Sequence, residues 1–261
     1  MITSSSNTKI KLVRSLLGRS RQRKSEQAFV AEGVRLIEEA AEAHWLMEFI
    51  LYDETLSERG LSLLEGLKEN QAVEILQIPP SLMAEVSDTE TPQGILAVLK
   101  RQRLPLPEPA SFILIADQIR DPGNMGTLLR TAEAAGADGV ILAPGTVDAF
   151  SPKVVRAGMG AHFRLPMQDQ SWKEIQSTVK ELTVLLAESG AGLPVWEADL
   201  TQPLALLIGG EAFGASPQGR NIANQPVNIP MPGRAESLNA AIAAGILIAE
   251  VLRQRYTQSK E

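Results

Sequence analysis

Three loops hold most of the residues in this chain that could carry chemistry. Asp117–Gly126 contributes Asn124 and leads to Arg130 six residues on, Gly209–Gly214 sets Glu211 among glycines, and Pro230–Asn239 carries Ser237 and Asn239. Amides, a hydroxyl, a carboxylate and a guanidinium suit the binding of a polar or anionic ligand. Nucleophilic hydrolysis has no support: no G-x-S-x-G occurs and there are no cysteines. The two histidines, His44 and His162, lack partners at metal-ligand spacing, so no metal site is expected. Singly, each residue also has a plainer role. Asn124 could cap a helix starting near Met125, and Glu211 could be a surface carboxylate. Arg130, beside Leu128, Leu129 and Ala132, could snorkel to solvent, pair with a carboxylate or reach a phosphate bidentately. The Gly209–Gly210 pair admits close backbone approach or positive φ, but it matches neither the dinucleotide fingerprint nor a P-loop.

Each loop follows a short apolar run: Phe112–Ala116, Ala205–Ile208 and Val227–Ile229. After the first loop a helical pattern leads to a further run, Val140–Leu142, which is the strand–loop–helix–strand unit of a parallel sheet. In such a sheet the loops gather at the carboxyl edge and form one site. Ala143–Leu165 reads as a loop and short helix, Trp172–Leu182 as a helix and Thr183–Glu188 as a strand. Ser237 reads as the N-cap of a helix, Leu238–Arg255, that is apolar on most faces up to Leu252 and so suits burial or a subunit interface. Its longest apolar run, Ala240–Ala249, is shorter than the ~20 residues a membrane span needs.

The first part of the chain reads as a smaller α/β domain. Residues 1–8 are polar and expected to be disordered; Lys9–Leu17 carries a helical stripe, Gly18–Ser25 is a basic loop, and Phe29–Ala43 is again helical in pattern. Strands are expected at Phe49–Tyr52, Val73–Leu76 and Ile95–Leu99, with helices at Glu54–Lys68 and near Ser81–Val86. Pro105, Pro107 and Pro109 mark 101–110 as an extended linker, which gives domains 1–100 and 111–261. The hydrophobic share is 44% and the charged share 21%, in keeping with a folded, soluble protein. Zero cysteines fit a reducing compartment, no signal-peptide core follows the polar start, and a cytoplasmic location is expected. Net charge is −6, yet seven basic residues and no acidic one precede Glu26: Lys9, Lys11, Arg14, Arg19, Arg21, Arg23 and Lys24. A basic arm on an acidic body suits a local polyanion; the plainer reading is a solvated basic face.

Together the loops resemble the three signature motifs of the SpoU (TrmH-type) RNA 2′-O-ribose methyltransferases. The motifs are DQIRDPGNMGTLLRTAEAAG (Asp117–Gly136), LLIGGEAFG (Leu206–Gly214) and VNIPMPGRAESLNAAIAAGI (Val227–Ile246). SPKVVRAGMGAHFRLP (Ser151–Pro166) resembles the family's intermediate motif, and FVAEGVRLIEEA with TPQGILAV resembles its fused substrate-binding domain. Gly158 in place of a common serine, and GGEAFG in place of GNEGxG, are departures. The resemblance implies an α/β fold whose parallel-sheet domain is tied in a trefoil knot, preceded by a smaller α/β RNA-binding domain. It implies S-adenosylmethionine held by Gly209, Gly210, Ile229, Met231 and Leu238, with Asn124, Arg130, Glu211, Ser237 and Asn239 around the reacting centre. Arg130 would serve as base or as a cation pinned to the substrate phosphate; a guanidinium holds its proton tightly, which favours the second. The candidate RNA-binding set is Lys9, Lys11, Arg14, Arg19, Arg21, Arg23, Lys24 and Arg156. Ribosomal RNA is the expected acceptor, with transfer RNA or a non-catalytic RNA-binding role as alternatives, and a homodimer through the knotted domain is expected.

Overall fold

The computed structural model describes residues 1–70, 73–190, 192–211 and 213–258. The chain forms two compact units, Met1–Gln102 with Asp148–Phe163, and Arg103–Val147 with Arg164–Glu261. Chain order begins α1 (Thr8–Gly18), α2 (Ser20–Glu26), β1 (Ala28–Glu32), α3 (Val34–Glu42), β2 (Met47–Tyr52), α4 (Glu58–Asn70), β3 (Glu74–Gln77), α5 (Pro80–Glu85) and β4 (Ile95–Lys100). Next come β5 (Phe112–Asp117), α6 (Pro122–Ala134), β6 (Gly139–Leu142), α7 (Pro152–Gly158), β7 (Met167–Asp169), α8 (Trp172–Thr178) and β8 (Thr183–Ala187). The chain closes with β9 (Leu193–Pro194), β10 (Leu204–Gly209), α9 (Pro217–Ile222), β11 (Gln225–Asn228) and α10 (Ala240–Gln258).

In the first unit a four-stranded sheet runs β1-β4-β2-β3, antiparallel except for β2 with β3. On one face α1 sinks Ile10, Val13 and Leu16 into a cluster with Val30, Phe49, Leu51, Leu82 and Val98. On the other, Phe29, Trp45, Phe150 and Phe163 pack ring against ring at centroid distances of 5.0–6.4 Å. The Trp45 indole N–H donates to the Phe163 carbonyl at 3.0 Å. These aromatic contacts are why Asp148–Phe163 packs with this unit.

Three expectations for this region are corrected. The expected helix Phe29–Ala43 is a strand followed by a helix. Ala28–Ala31 is buried on both faces, so β1 shows a continuous apolar run rather than alternation, and Gly33 at φ +100 breaks it from α3. The expected basic loop is helix α2; Arg, Gln and Lys favour helices, and charge alone does not signal a loop. The expected disordered start is anchored, because the Ile2 N–H donates to the Gln77 carbonyl at 2.8 Å and Asn7 caps α1.

The second unit is one seven-stranded sheet, all parallel, in the order β7-β6-β5-β10-β8-β11-β9. Its centre, β5 and β10, is buried almost throughout, which explains their unbroken apolar runs. Leu106 and Ala110 of the proline-rich stretch pack against this core. The sequence reading did not foresee β7, β9 or α9, with three, two and six residues, because segments that short show no period. α10 buries Ala244, Leu247, Ile248 and Val251 yet leaves Ile242, Ile246, Leu252 and Tyr256 exposed. No helix of the described residues is long and apolar enough to cross a membrane.

Candidate active site

The loops after β5 and before α10 both carry helix caps, and neither cap is the expected residue. α6 begins at Pro122, and its N-cap is Asp121, whose carboxylate accepts the Asn124 N–H at 2.8 Å. Proline at the first helical position needs no partner for a missing N–H. The Asn124 side chain is therefore not spent on capping. At α10, Asn239 rather than Ser237 is the cap: its Oδ1 accepts the N–H groups of Ala241 and Ile242 at 3.0 and 3.2 Å.

This arrangement fixes a directed chain of amides. With its oxygen committed to the helix, Asn239 donates through Nδ2 to Asn124 Oδ1 at 2.9 Å. Asn124 then donates through Nδ2 to Glu211 Oε1 at 2.7 Å. Each amide has one orientation that satisfies its neighbours, so neither can flip without breaking a bond. The three residues come from three loops, and the parallel sheet brings those loops to one edge.

Beside this chain lies a cavity of about 410 Å³, within the ~300–1,000 Å³ usual for small-ligand sites. Gly209, Gly210, Glu211, Ile229, Met231, Ser237 and Leu238 line it, together with Phe213 and Leu247. All five residues assigned to the cofactor on sequence are among them. A Cβ on Gly209 would lie 2.3 Å from the Ala215 nitrogen, and one on Gly210 would lie 2.2 Å from the Gln118 oxygen. The close approach that demands glycine is thus to the protein's own backbone, which holds the second loop flat against its neighbours. The residues fit S-adenosylmethionine. Ile229, Leu238 and Leu247 offer apolar walls for a purine, while Glu236 offers a carboxylate to a sulfonium or an ammonium.

Several residues the sequence reading did not single out shape the floor of this unit. Glu188 and Arg220 form an ion pair at the cavity wall. Asp117, at the end of β5, is fully buried; burial raises its carboxyl pKa against the opposing pull of Ser216 and Arg220. Its Oδ2 accepts the Ser216 N–H at 2.6 Å and so ties the end of β5 to the start of α9. The signal for Asp117 was a carboxylate closing an apolar strand; nothing local marked Arg220.

Arg130 stands apart from the amide chain. It lies six residues beyond Asn124 on α6, about 9 Å along the axis and roughly 120° around it, and it is exposed without a partner among the described residues. The basic arm also divides. Lys11, Arg14, Arg19, Arg21 and Lys24 are exposed, and Arg14 pairs with Glu85; Lys9 pairs with Glu74 at 2.7 Å, and Arg156 pairs with Asp88 at 3.0 Å. Arg23 is removed from the RNA-binding set. It is 4% exposed, its Nε donates to Asp148 Oδ2 at 2.8 Å, and Nη1 donates to the Leu16 and Leu17 carbonyls. Burial would raise the Asp148 pKa, but the Arg23 guanidinium, Ser20 and the Phe150 N–H outweigh it and hold the pKa low. Among the described residues no cluster could hold a metal ion.

An all-parallel sheet with a small-ligand cavity at its carboxyl edge defines an α/β ligand-binding domain of the kind that serves transferases and other nucleotide-using enzymes. Comparison with known proteins narrows this. Residues 111–249 match the SpoU rRNA Methylase family and residues 7–97 the MRM3-like substrate binding domain. The 23S rRNA (uridine(2479)-2′-O)-methyltransferase of Streptomyces viridochromogenes is 34% identical, covering 96% of this chain and 91% of that protein. The 23S rRNA (guanosine(2553)-2′-O)-methyltransferase RlmP of Bacillus subtilis is 33% identical, over 95% and 97%. The crystal structure of the SpoU methyltransferase AviRb from Streptomyces viridochromogenes, in complex with AdoMet, superposes with a TM-score of 0.88 at 32% identity, covering 96% of this chain and 99% of that one. The chain belongs to the SpoU rRNA methylase family. The activity that goes with membership is S-adenosylmethionine-dependent methylation of an RNA ribose 2′-oxygen.

Proposed function

We propose that this protein methylates a ribose 2′-oxygen in ribosomal RNA, with the acceptor ribose held at the Glu211 and Ser237 side of the cavity. The observation that carries the reading is the aimed amide chain, Asn239 to Asn124 to Glu211, at the margin of a cavity that fits S-adenosylmethionine. When bound, that cofactor supplies an electrophilic methyl group on a sulfonium. The protein's part is to hold the 2′-oxygen in line with it, and positioning of this kind is worth large rate factors. Gly209, Gly210, Ile229, Met231 and Leu238 hold the cofactor. Glu211, oriented through Asn124 and Asn239, and Ser237 face the ribose hydroxyl. Arg130 orients the RNA through a backbone phosphate beside the target ribose, which suits both its charge and its distance from Asn124.

The exposed cations of the first unit, Lys11, Arg14, Arg19, Arg21 and Lys24, bind the RNA backbone together with Lys9 and Arg156; Lys9, Arg14 and Arg156 contribute less because each pairs with a carboxylate. The exposed apolar side chains of α10 support a homodimer, and the family resemblance supports a trefoil knot in the second unit. A ribosomal acceptor and the absence of cysteine support a cytoplasmic setting.

The test is to map ribose 2′-O-methyl positions in RNA from cells with and without the protein. Loss of one site in large-subunit RNA is expected, a lost site in transfer RNA would redirect the acceptor, and no lost site would sink the reading. In parallel, Arg130→Ala should abolish methyl transfer while leaving S-adenosylmethionine binding intact; comparable turnover would remove Arg130 from the site.

A further inference from the structure

The turn Gly210–Gly214 presents one large side chain. Gly210 and Gly214 exchange both backbone hydrogen bonds, at 3.1 and 3.0 Å, and Gly210 is pressed against Gln118. From this pinned turn Phe213 projects with 79% of its surface exposed. The chain has six phenylalanines, and the other five, Phe29, Phe49, Phe112, Phe150 and Phe163, are at most 3% exposed. Those five pack in the interior, where burial stabilises the fold; Phe213 forgoes that gain. It lines the cavity two residues from Glu211, at most ~7 Å along the backbone.

We propose that Phe213 is the stacking platform for the base of the nucleotide being methylated. This rests on the reading of the cavity margin as the ribose site. A ribose hydroxyl reaches a cavity inside the protein only if its nucleotide leaves the RNA stack, and the unstacked base then needs a new partner. Contacts to the 2′-oxygen cannot hold the base, because the ribose is common to all nucleotides. An aromatic face can hold any base, since every base has a π-face. Glu211 at the ribose and Phe213 two residues on, at most ~7 Å along the backbone, are spaced to serve a sugar hydroxyl and its own base.

Phe213→Ala and Phe213→Trp test this with total RNA from cells lacking the protein as acceptor and tritiated S-adenosylmethionine as donor. The alanine variant should raise the KM for RNA or lower its apparent affinity by about 5- to 150-fold, the range for loss of one base–aromatic stack. The tryptophan variant should stay near wild type. S-adenosylmethionine binding, measured by titration, should be unchanged in both. An equal loss of S-adenosylmethionine affinity would mean that the ring covers the cofactor, and a change of oligomeric state would mean that it serves an interface; either overturns the proposal. So would an unchanged KM for RNA. Failure of the wild type itself to label RNA would overturn the ribose-site reading, whereas an active wild type with an unaffected alanine variant would overturn only the role of Phe213.

Discussion

Arg23 and Arg21 sit two residues apart in a basic segment and should respond to substitution in opposite ways. Arg23 is 4% exposed and makes three hydrogen bonds, one to the largely buried Asp148 carboxylate and two to the carbonyls of Leu16 and Leu17 at the end of α1. Arg23→Ala leaves a carboxylate with 11% side-chain exposure and no counter-ion, along with two carbonyls short of a donor. Breaking such a pair from one side costs about 3–5 kcal/mol. At about 2–4 °C per kcal/mol for a chain of this size, the midpoint of thermal unfolding should fall by roughly 6–20 °C. Arg21→Ala should leave that midpoint within about a degree, weaken RNA binding, and lower the slope of log affinity against log salt by about 1. Removing both partners, as in Arg23→Met with Asp148→Leu, should recover much of the lost stability, because a buried ion pair replaced whole by apolar groups is often neutral. Calorimetry and filter-binding titrations over salt read both quantities. The reasoning fails if Arg23→Ala melts like wild type and loses RNA affinity as Arg21→Ala does.

Burial pushes the His162 pKa down to about 4 from an ordinary 6.5. With a folded pKa below the unfolded one, the unfolded chain takes up the extra proton as pH falls below about 6.5. Stability should therefore drop between about pH 6.5 and 4, by up to about 3 kcal/mol, and His162→Gln should flatten that stretch of a denaturation-versus-pH curve. Asn239→Ala removes the α10 cap and the first link of the amide chain; a loss of about 1–2 kcal/mol in urea unfolding and a larger fall in kcat than rise in KM are expected. Ile246→Glu places a charge on the exposed apolar face of α10 and should turn a dimer into a monomer in light scattering at micromolar concentration; a monomeric wild type would refute the interface.

The three chemistry-bearing loops were legible because each joins an apolar run to glycine, proline and a polar side chain within a few residues. Their shared edge followed from parallel-sheet geometry. The reach of individual side chains was not legible. Ser237 carries the residue type of an N-cap, yet the helix starts later and Asn239 fills that place. Asn124 likewise had the right type for a cap, but Asp121, three residues earlier, took the role beside Pro122. In both cases local propensity named a competent residue, and the position of the first helical turn, set by packing of the helix on the sheet, decided which one acted. Arg23 shows the same limit for charge. A basic run predicts attraction for a polyanion, but only burial tells which member is turned inward to a carboxylate 125 residues away.

The distances along the chain explain why the site divides into a fixed part and a recruited part. Asn124 meets Glu211 across 87 residues and Asn239 across 115, so their registry depends on the buried central strands β5 and β10 rather than on any local turn. The α10 end of the chain is anchored by two backbone N–H groups, where the positive end of a helix favours the Asn239 oxygen. From there the polarity runs one way to Glu211, and a carboxylate that accepts from one side keeps its second oxygen for a donor such as a ribose hydroxyl. Arg130 belongs to no such network among the described residues. In its proposed role as a phosphate contact it gains nothing from being pinned in advance, whereas the groups proposed to set the angle at the reacting oxygen gain everything from it. The same contrast separates Glu211, held by Asn124, from the exposed cations of α1 and α2. On the proposed reading, the groups that set geometry are wired into the sheet, and the groups that attract the RNA lie on the exposed surface of the first unit.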